Sequence, residues 1–209
     1  MIILAGIFFS FSRGAWGVTV IGGGLCGILT MVTARAPATR ARVLIVAVLG
    51  LVLFALALGA ILSVPSIRDF FFERFVLVQD YDDGPRGRFG KLADATSMLL
   101  DRPNGFGPLH FTDFFPEEPH NAFFNAFASY GWFGGFGYLA LVASTFVVGW
   151  TAVWRRTPWQ GVYVAIWSFT FVQYLQGLQI DTDHWRHLWL VVGMTWGLAF
   201  ASTKNPPLS

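Results

Sequence analysis

The sequence predicts an all-α fold, a polytopic transmembrane helix bundle of about five spans with one large outer loop that contains short helices. Apolar residues make up 55% of the 209 positions and charged residues only 12%, whereas a soluble domain carries about 25% charge. Several uncharged segments reach the roughly 20 residues that a helix needs to cross the hydrocarbon core. Sixteen of the charged residues lie together in residues 65–119. These features exclude an ordinary soluble domain.

Uncharged apolar segments predict the individual spans. Four segments are long enough for a crossing helix, namely residues 14–34, 43–64, 122–154 and 157–180. A fifth, residues 188–202, is shorter, but polar residues flank it on both sides and nearby tryptophans suit a membrane interface. Residues 1–12 are apolar too, yet they lack a basic leader and a cleavage motif. We therefore expect them to be the end of a span and not a signal peptide.

The distribution of arginine predicts the orientation. Residues 35–42 carry three arginines and no acid, and Arg155 and Arg156 fill a later turn that is also free of acids. Basic residues in short loops mark the cytoplasmic side. Alternation then places residues 65–119 and 181–187 on the outer side, where all twelve acidic residues lie. A net charge of +2, divided between the two sides, gives no footprint for a nucleic acid.

Three parts of the chain follow from this topology. Residues 1–64 form transmembrane helices, residues 65–132 form the outer loop with amphipathic and re-entrant helices, and residues 133–209 form three transmembrane helices and a C-terminal tail. Apolar residues recur at helical spacing in residues 87–101, which predicts an amphipathic helix that ends before Pro103. Such a helix either lies on the membrane surface or caps the bundle, or it contributes to a site.

The remainder of the outer loop predicts a turn and a broken helix. Residues 104–108 have the glycine and proline content of a turn. Glu117, Glu118 and Pro119 suit the first turn of a helix, and that helix should break near Gly131 before the chain crosses the membrane. Because the loop holds most of the charge, we expect any polar site to lie there and at the span ends that face it.

Three residues from separate segments are the candidates for chemistry at that face. Arg13 stands alone in an otherwise uncharged stretch of residues 1–34, where it is either a snorkelling anchor or a ligand for an anion. Arg88 opens the amphipathic segment. His120 follows Pro119, where it either pairs with Glu117 or acts in catalysis. The alternatives stay open when each residue is considered alone.

Two further features carry less weight. Asp181, Asp183, His184, Arg186 and His187 crowd one predicted span entrance, either as a hydrogen-bonded interfacial cluster or as part of a site. Their spacing matches no firm metal site. The single cysteine, Cys26, lies in an apolar segment, so no disulfide framework or thiolate metal site is expected.

The order of these motifs resembles a known family. Ser12-Arg13-Gly14 begins a span at the outer side, Gly87-Arg88 opens a loop helix, and Pro103 precedes Gly105-Phe106-Gly107. Pro119-His120-Asn121 then precedes a span interrupted by Gly131 and Gly134. This ordered series resembles the O-antigen ligase and O-antigen polymerase superfamily, of which the chain covers the C-terminal half, as a truncated gene model or an excerpt would.

The resemblance implies a fold similar to part of a helical membrane glycosyltransferase. It implies transfer of a glycan from an undecaprenyl diphosphate carrier to lipid A core or another glycan acceptor, at the periplasmic face of the bacterial inner membrane. Arginine suits the diphosphate because its guanidinium is permanently charged and binds phosphate in bidentate fashion. Arg13 and Arg88 are the expected diphosphate ligands and His120 the expected base. Arg186, His184 and Asn121 are expected to bind substrate, and no metal or other cofactor is required.

Two other classes of function stay open from the sequence. A transporter or flippase would place ionisable residues near the middle of the bilayer, whereas the charges here lie at the ends of spans. A scaffold or an inactive fragment of the enzyme would also contain apolar helices. A scaffold, however, gives no reason for Arg13, Arg88 and His120 to share one face.

Overall fold

The computed structural model describes residues 6–7, 9–10, 12–66, 68–69 and 88–204, without the side chains of Arg13, Arg88 and Phe89. Within those residues the secondary structure is helical and contains no strand, which confirms the all-α prediction. The packing divides the chain into two compact units, Met1–Leu77 and Val78–Ser209. Residues 70–87 of the predicted outer loop, and most of the predicted span end at residues 1–12, lie outside the described residues.

The first unit contains two long apolar helices that pack against each other, α1 (Arg13–Thr33) and α2 (Pro37–Leu62). Ser12 caps α1, because its Oγ accepts a hydrogen bond from the Ala15 amide at 3.3 Å. At the other end of α1, the Arg40 guanidinium donates to the Ala34 carbonyl from both Nε and Nη2, at 3.1 and 2.9 Å. These side chains satisfy backbone groups that a helix end leaves without partners.

No residue of α2 is buried, although the helix is apolar on every side from residue 43 onward. A helix of this kind belongs either in the core of a large protein or in a bilayer. The exposed leucine, isoleucine and valine side chains of α2 therefore suit contact with lipid.

The second unit is built around a three-helix bundle of α4 (Ala122–Val153), α5 (Gln160–Gln176) and α6 (Arg186–Lys204). Its core contains small and large side chains from all three helices, namely Ala122, Ala126, Tyr138, Val142, Tyr174, Leu188 and Val192. Hydroxyl contacts link the helices as well: Thr170 Oγ1 lies 3.0 Å from Thr195 Oγ1, and Trp196 Nε1 donates to Thr145 Oγ1 at 3.0 Å. Such interhelical hydrogen bonds are typical of helix packing in membranes.

Three of the described helical segments are long and apolar enough to cross a membrane, namely Gly14–Thr33, Pro37–Leu62 and Ala122–Val153. These overlap the first three predicted spans, although the second helix begins at Pro37 and not at residue 43. The fourth and fifth predicted spans form helices α5 and α6, but α5 has only 17 residues, fewer than the roughly 20 of a straight crossing. The assignment of α5 and α6 as spans stays a prediction.

A shorter helix, α3 (Arg88–Leu100), packs on α4, close to the bounds predicted from its periodicity. Ala95 and Leu99 form its buried face, whereas Leu100 is exposed. Ala95 joins Phe111 and Ala128 in a small core that Phe106, Phe115 and Phe124 surround. Contact with α4 therefore decides which apolar residues of α3 are buried.

The start of α4 differs from the prediction. The sequence indicated a helix opening at residues 117–119, but α4 begins at Ala122, with Asn121 as its N-cap. His120 has a positive φ of 46° and Asn121 is extended, at φ −153° and ψ 110°, so neither continues a helix. Asn121 Oδ1 accepts from the Phe124 amide at 3.0 Å, and asparagine is among the best N-cap residues. The predicted start at residues 117–119 was therefore wrong: the Asn121 cap sets the start of the helix, and Pro119 lies before it.

The predicted break at Gly131 is confirmed, since this residue lies inside α4 with φ 68° and ψ −168°. An unbroken helix would bond the Trp132 amide to the Ala128 carbonyl. At the kink both groups take partners from the turn at residues 103–107 instead. Trp132 N donates to Pro103 O at 2.8 Å, and Ala128 O accepts from Phe106 N at 2.7 Å. This segment overlaps the predicted turn at residues 104–108, which is thereby fixed to the kink through backbone hydrogen bonds.

Candidate active site

His120 lies in the short connection that leads into α4. Its φ of 46° places it in the left-handed region, which costs a residue with a side chain roughly 1–2 kcal/mol. Backbone strain of this kind is found at sites where the surrounding structure holds a side chain in place for function. Here Pro119 is buried on one side and Asn121 caps the helix on the other. The strained backbone thus places His120 directly before the N-cap of α4.

The imidazole of His120 pairs with a carboxylate that is distant in sequence. His120 Nδ1 lies 3.3 Å from Asp181 Oδ1, and the side chains are 45% and 18% exposed. When Nδ1 donates to a carboxylate, the lone pair of the neutral imidazole is on Nε2. The arrangement can orient a histidine so that Nε2 accepts a proton from a substrate hydroxyl. Glu117, the partner considered from the sequence, contacts Lys91 Nζ instead, at 3.2 Å.

Asp181 also lies near His184. It precedes the 3-10 helix Thr182–His184, and its Oδ2 is 3.9 Å from His184 Nδ1, beyond hydrogen-bonding distance. The side chain of His184 is 63% exposed. The structure therefore brings two histidines to one partly buried carboxylate, and the side chains of both are accessible to solvent.

Hydrogen bonds near His120 and Asp181 connect the start of α4 to the segment between α5 and α6. The Ala122 amide donates to Gly177 O at 2.7 Å, and Asn121 Nδ2 donates to Leu178 O at 3.2 Å. One helical turn further along α4, Asn125 Nδ2 donates to Asp183 Oδ2 at 2.7 Å. Supporting contacts of this type orient the groups that touch a substrate.

A close backbone approach makes these contacts possible at Gly177. A Cβ atom added there would lie 3.0 Å from Thr182 Oγ1 and 3.3 Å from the Ala122 side chain. The glycine therefore allows the end of α5 to lie directly against the start of α4.

The remaining predicted site residues lie at helix ends. Arg13 is the first residue of α1, Arg88 the first of α3, and Arg186 the first of α6. The side chains of Arg13 and Arg88 lie outside the described residues, and Arg13 belongs to the first unit while the others belong to the second. The amide of Asn121 is engaged in capping and in the bond to Leu178.

Sequence reasoning missed the pairing of His120 with Asp181. The available indication was topological, because both segments were predicted to lie on the outer side and one of them contained Asp181. Nothing in the local pattern selected Asp181 over Asp183. Among the described residues, no group of three or more histidines, cysteines or acids is placed to hold a metal ion.

Apolar helices of membrane-crossing length, with a polar site at the helix ends of the bundle, define an all-α membrane protein. The family follows from comparison with known proteins: the family model described as O-antigen ligase matches residues 1–139, two thirds of the chain. The chain belongs to the O-antigen ligase family. It is therefore a bacterial membrane enzyme of the ligase or glycosyltransferase type, with a lipid-linked glycan and an acceptor as its substrates.

The other comparisons add no relative, since no curated protein and no solved structure matches the chain. The family match includes Arg13, Arg88 and His120, and it ends within α4. Asp181, His184 and Arg186 lie beyond the matched residues. The partner of His120 is thus known from the packing alone.

Proposed function

We propose that the protein is a metal-independent glycosyltransferase that moves a glycan from undecaprenyl diphosphate to a sugar hydroxyl of lipid A core or of another glycan. The reaction takes place at the periplasmic face of the inner membrane. The observation that carries this proposal is the contact of 3.3 Å between His120 Nδ1 and Asp181 Oδ1. Transfer to a hydroxyl requires a base, and an imidazole oriented by a carboxylate meets that requirement.

In the proposed reaction the acceptor oxygen attacks the anomeric carbon of the donor sugar. The bond from that carbon to the diphosphate oxygen breaks, and its electron pair leaves with the diphosphate. The hydroxyl proton passes to Nε2 of His120. Asp181 holds the imidazole in the required orientation and stabilises the imidazolium that forms.

The diphosphate leaving group is already an anion, so it needs cationic side chains to balance its charge and does not need a general acid. Arg13 and Arg88 bind the diphosphate, since a guanidinium binds phosphate oxygens through two parallel hydrogen bonds. Arg186 assists them, and His184 contacts the substrate from the exposed side of Asp181. Asn121 contributes to substrate binding by fixing the turn that carries His120.

A first test concerns the face of the membrane. In a Cys26→Ser background, a cysteine at Thr112, exposed in the loop, should react with a membrane-impermeant thiol reagent in intact spheroplasts. A cysteine at Thr39, exposed at the start of α2, should react only after the membrane is permeabilised, because the arginines of that turn mark the cytoplasmic side. The reverse labelling pattern would refute the periplasmic site.

A second test separates diphosphate binding from anchoring at Arg13. Arg13→Lys preserves the charge and removes the bidentate fork, so we expect transfer by the purified full-length protein to fall about tenfold to a hundredfold. The matched control is Arg35→Lys in the turn between α1 and α2, which should transfer normally. Both variants should accumulate in the membrane. Normal transfer by Arg13→Lys would identify Arg13 as an anchor.

A further inference from the structure

Arg102, just beyond the end of α3, lies against two aromatic rings. Its Cζ is 4.6 Å from the ring centroid of Phe114 and 5.4 Å from that of Phe106. The side chain is partly exposed, and within residues 88–204 its guanidinium makes no ion pair and no hydrogen bond. The charge thus lies over two rings in a cation–π contact, and a guanidinium carries five N–H donors that such a contact does not engage in hydrogen bonds.

The rings are themselves held by a packed cluster. Phe106 makes an edge contact with Phe111 at 5.6 Å and lies 5.3 Å from Phe114. Phe111 in turn is buried beneath them and stacks on Phe115 at 4.7 Å. Phe114 is 46% exposed, so it presents apolar surface beside the charge.

The position of this cluster does not depend on the Arg102 side chain. The turn is fixed to the kink of α4 by the backbone bonds of Trp132 to Pro103 and of Phe106 to Ala128. Lys91 and Glu117 provide a second link between α3 and the loop. The guanidinium of Arg102 thus lies against rings whose positions are fixed by other contacts, and a preformed arrangement of this kind lowers the entropic cost of binding a ligand.

We propose that Arg102, Phe106 and Phe114 form a binding site for an anionic group, a phosphate ester or a carboxylate, carried by the saccharide substrate. The guanidinium edge binds the anion in bidentate fashion, and the exposed ring of Phe114 packs against the apolar face of a sugar. Two acids lie nearby in sequence, Asp101 and Asp113, and Asp113 is paired with His110 at 2.8 Å. This site deepens the proposed function, on which the identity of its ligand as a saccharide rests.

The test is a binding measurement that requires no transfer. Full-length protein in nanodiscs of phosphatidylcholine is titrated with an oligosaccharide that carries one phosphate ester and with its dephosphorylated counterpart. We expect the wild type to bind the phosphorylated form about tenfold more tightly, and inorganic phosphate to compete. Arg102→Gln should reduce this preference, and any remainder is the share bound by the proposed diphosphate ligands. Arg102→Lys, which keeps the charge without the fork, should retain more of the preference than Arg102→Gln does.

The matched control is Arg156→Gln, an exposed arginine in the turn between α4 and α5, which should keep the full preference. Equal binding of the two oligosaccharides by the wild type would overturn the proposal, and so would a preference that is undiminished in Arg102→Gln. Loss of the preference when phosphatidylglycerol replaces part of the phosphatidylcholine would assign Arg102 to a lipid headgroup instead. A preference that depends on Arg102 in a protein that transfers no glycan would refute the proposed function and leave this site standing.

Discussion

His120→Ala should lower the turnover of the purified full-length protein by about 10²–10⁴, the range for a positioned proton acceptor. Donor binding should stay nearly unchanged, because the proposed diphosphate ligands are arginines. The measurement pairs the affinity for the carrier-linked donor with the transfer rate on the same preparation. A loss of affinity as large as the loss of rate would make His120 a donor ligand and not a base. Unchanged transfer would exclude it from the site.

The chain offers a matched control in a second histidine–carboxylate pair. His110 Nδ1 lies 2.8 Å from Asp113 Oδ2, and both side chains are more than half exposed. If any paired histidine of the loop sufficed, His110→Ala would be as damaging as His120→Ala. We expect His110→Ala to keep normal turnover. Asp181→Asn should lower turnover with little effect on donor affinity, since the amide no longer favours the tautomer with its lone pair on Nε2.

Gly131→Ala should destabilise the second unit by about 3 kcal/mol, through a backbone conformation that is nearly exclusive to glycine and a steric clash. The added Cβ would collide with Pro103 O and lie 2.8 Å from the Asn104 Cα. The turn at residues 103–107 would have to leave the kink and lose its hydrogen bonds to Trp132 and Ala128. Denaturation in detergent measures the loss of stability, and limited proteolysis within residues 104–115 measures release of the turn.

Gly137→Ala is the control for this substitution, because Gly137 lies in the same helix and an added Cβ meets nothing within 4 Å. That variant should be neutral, or more stable by up to about 1 kcal/mol, since alanine favours a helix over glycine. Equal stability of the Gly131 and Gly137 variants would show that the docked turn contributes nothing to the fold. Release of the turn in Gly131→Ala should also weaken the binding of anionic saccharides at Arg102.

Local pattern determined much of the helical structure. The first three predicted spans overlap the three helices of membrane-crossing length, and α3 follows the predicted periodicity to within a residue at each end. The turn at residues 104–108 and the break at Gly131 were also predicted correctly. These features depend on apolar length, on 3.6-residue periodicity and on the properties of glycine and proline, all of which act over a few residues. The ordered series of motifs around Arg13, Arg88, Gly105, His120 and Gly131 indicated the family.

Contacts between distant residues were decided by tertiary structure alone. His120 and Asp181 are 61 positions apart, and their distance depends on how α4 packs against the end of α5. The start of α4 at Ala122 depends on the Asn121 cap and on the bond from Ala122 to Gly177, and the buried face of α3 depends on α4. The contact of Arg102 with Phe106 and Phe114 likewise requires the turn to pack against the kink. Sequence sets these groups on one predicted side of the membrane, but a hydrogen bond or a ring contact requires a separation fixed within about 1 Å, and only the packed helices provide that.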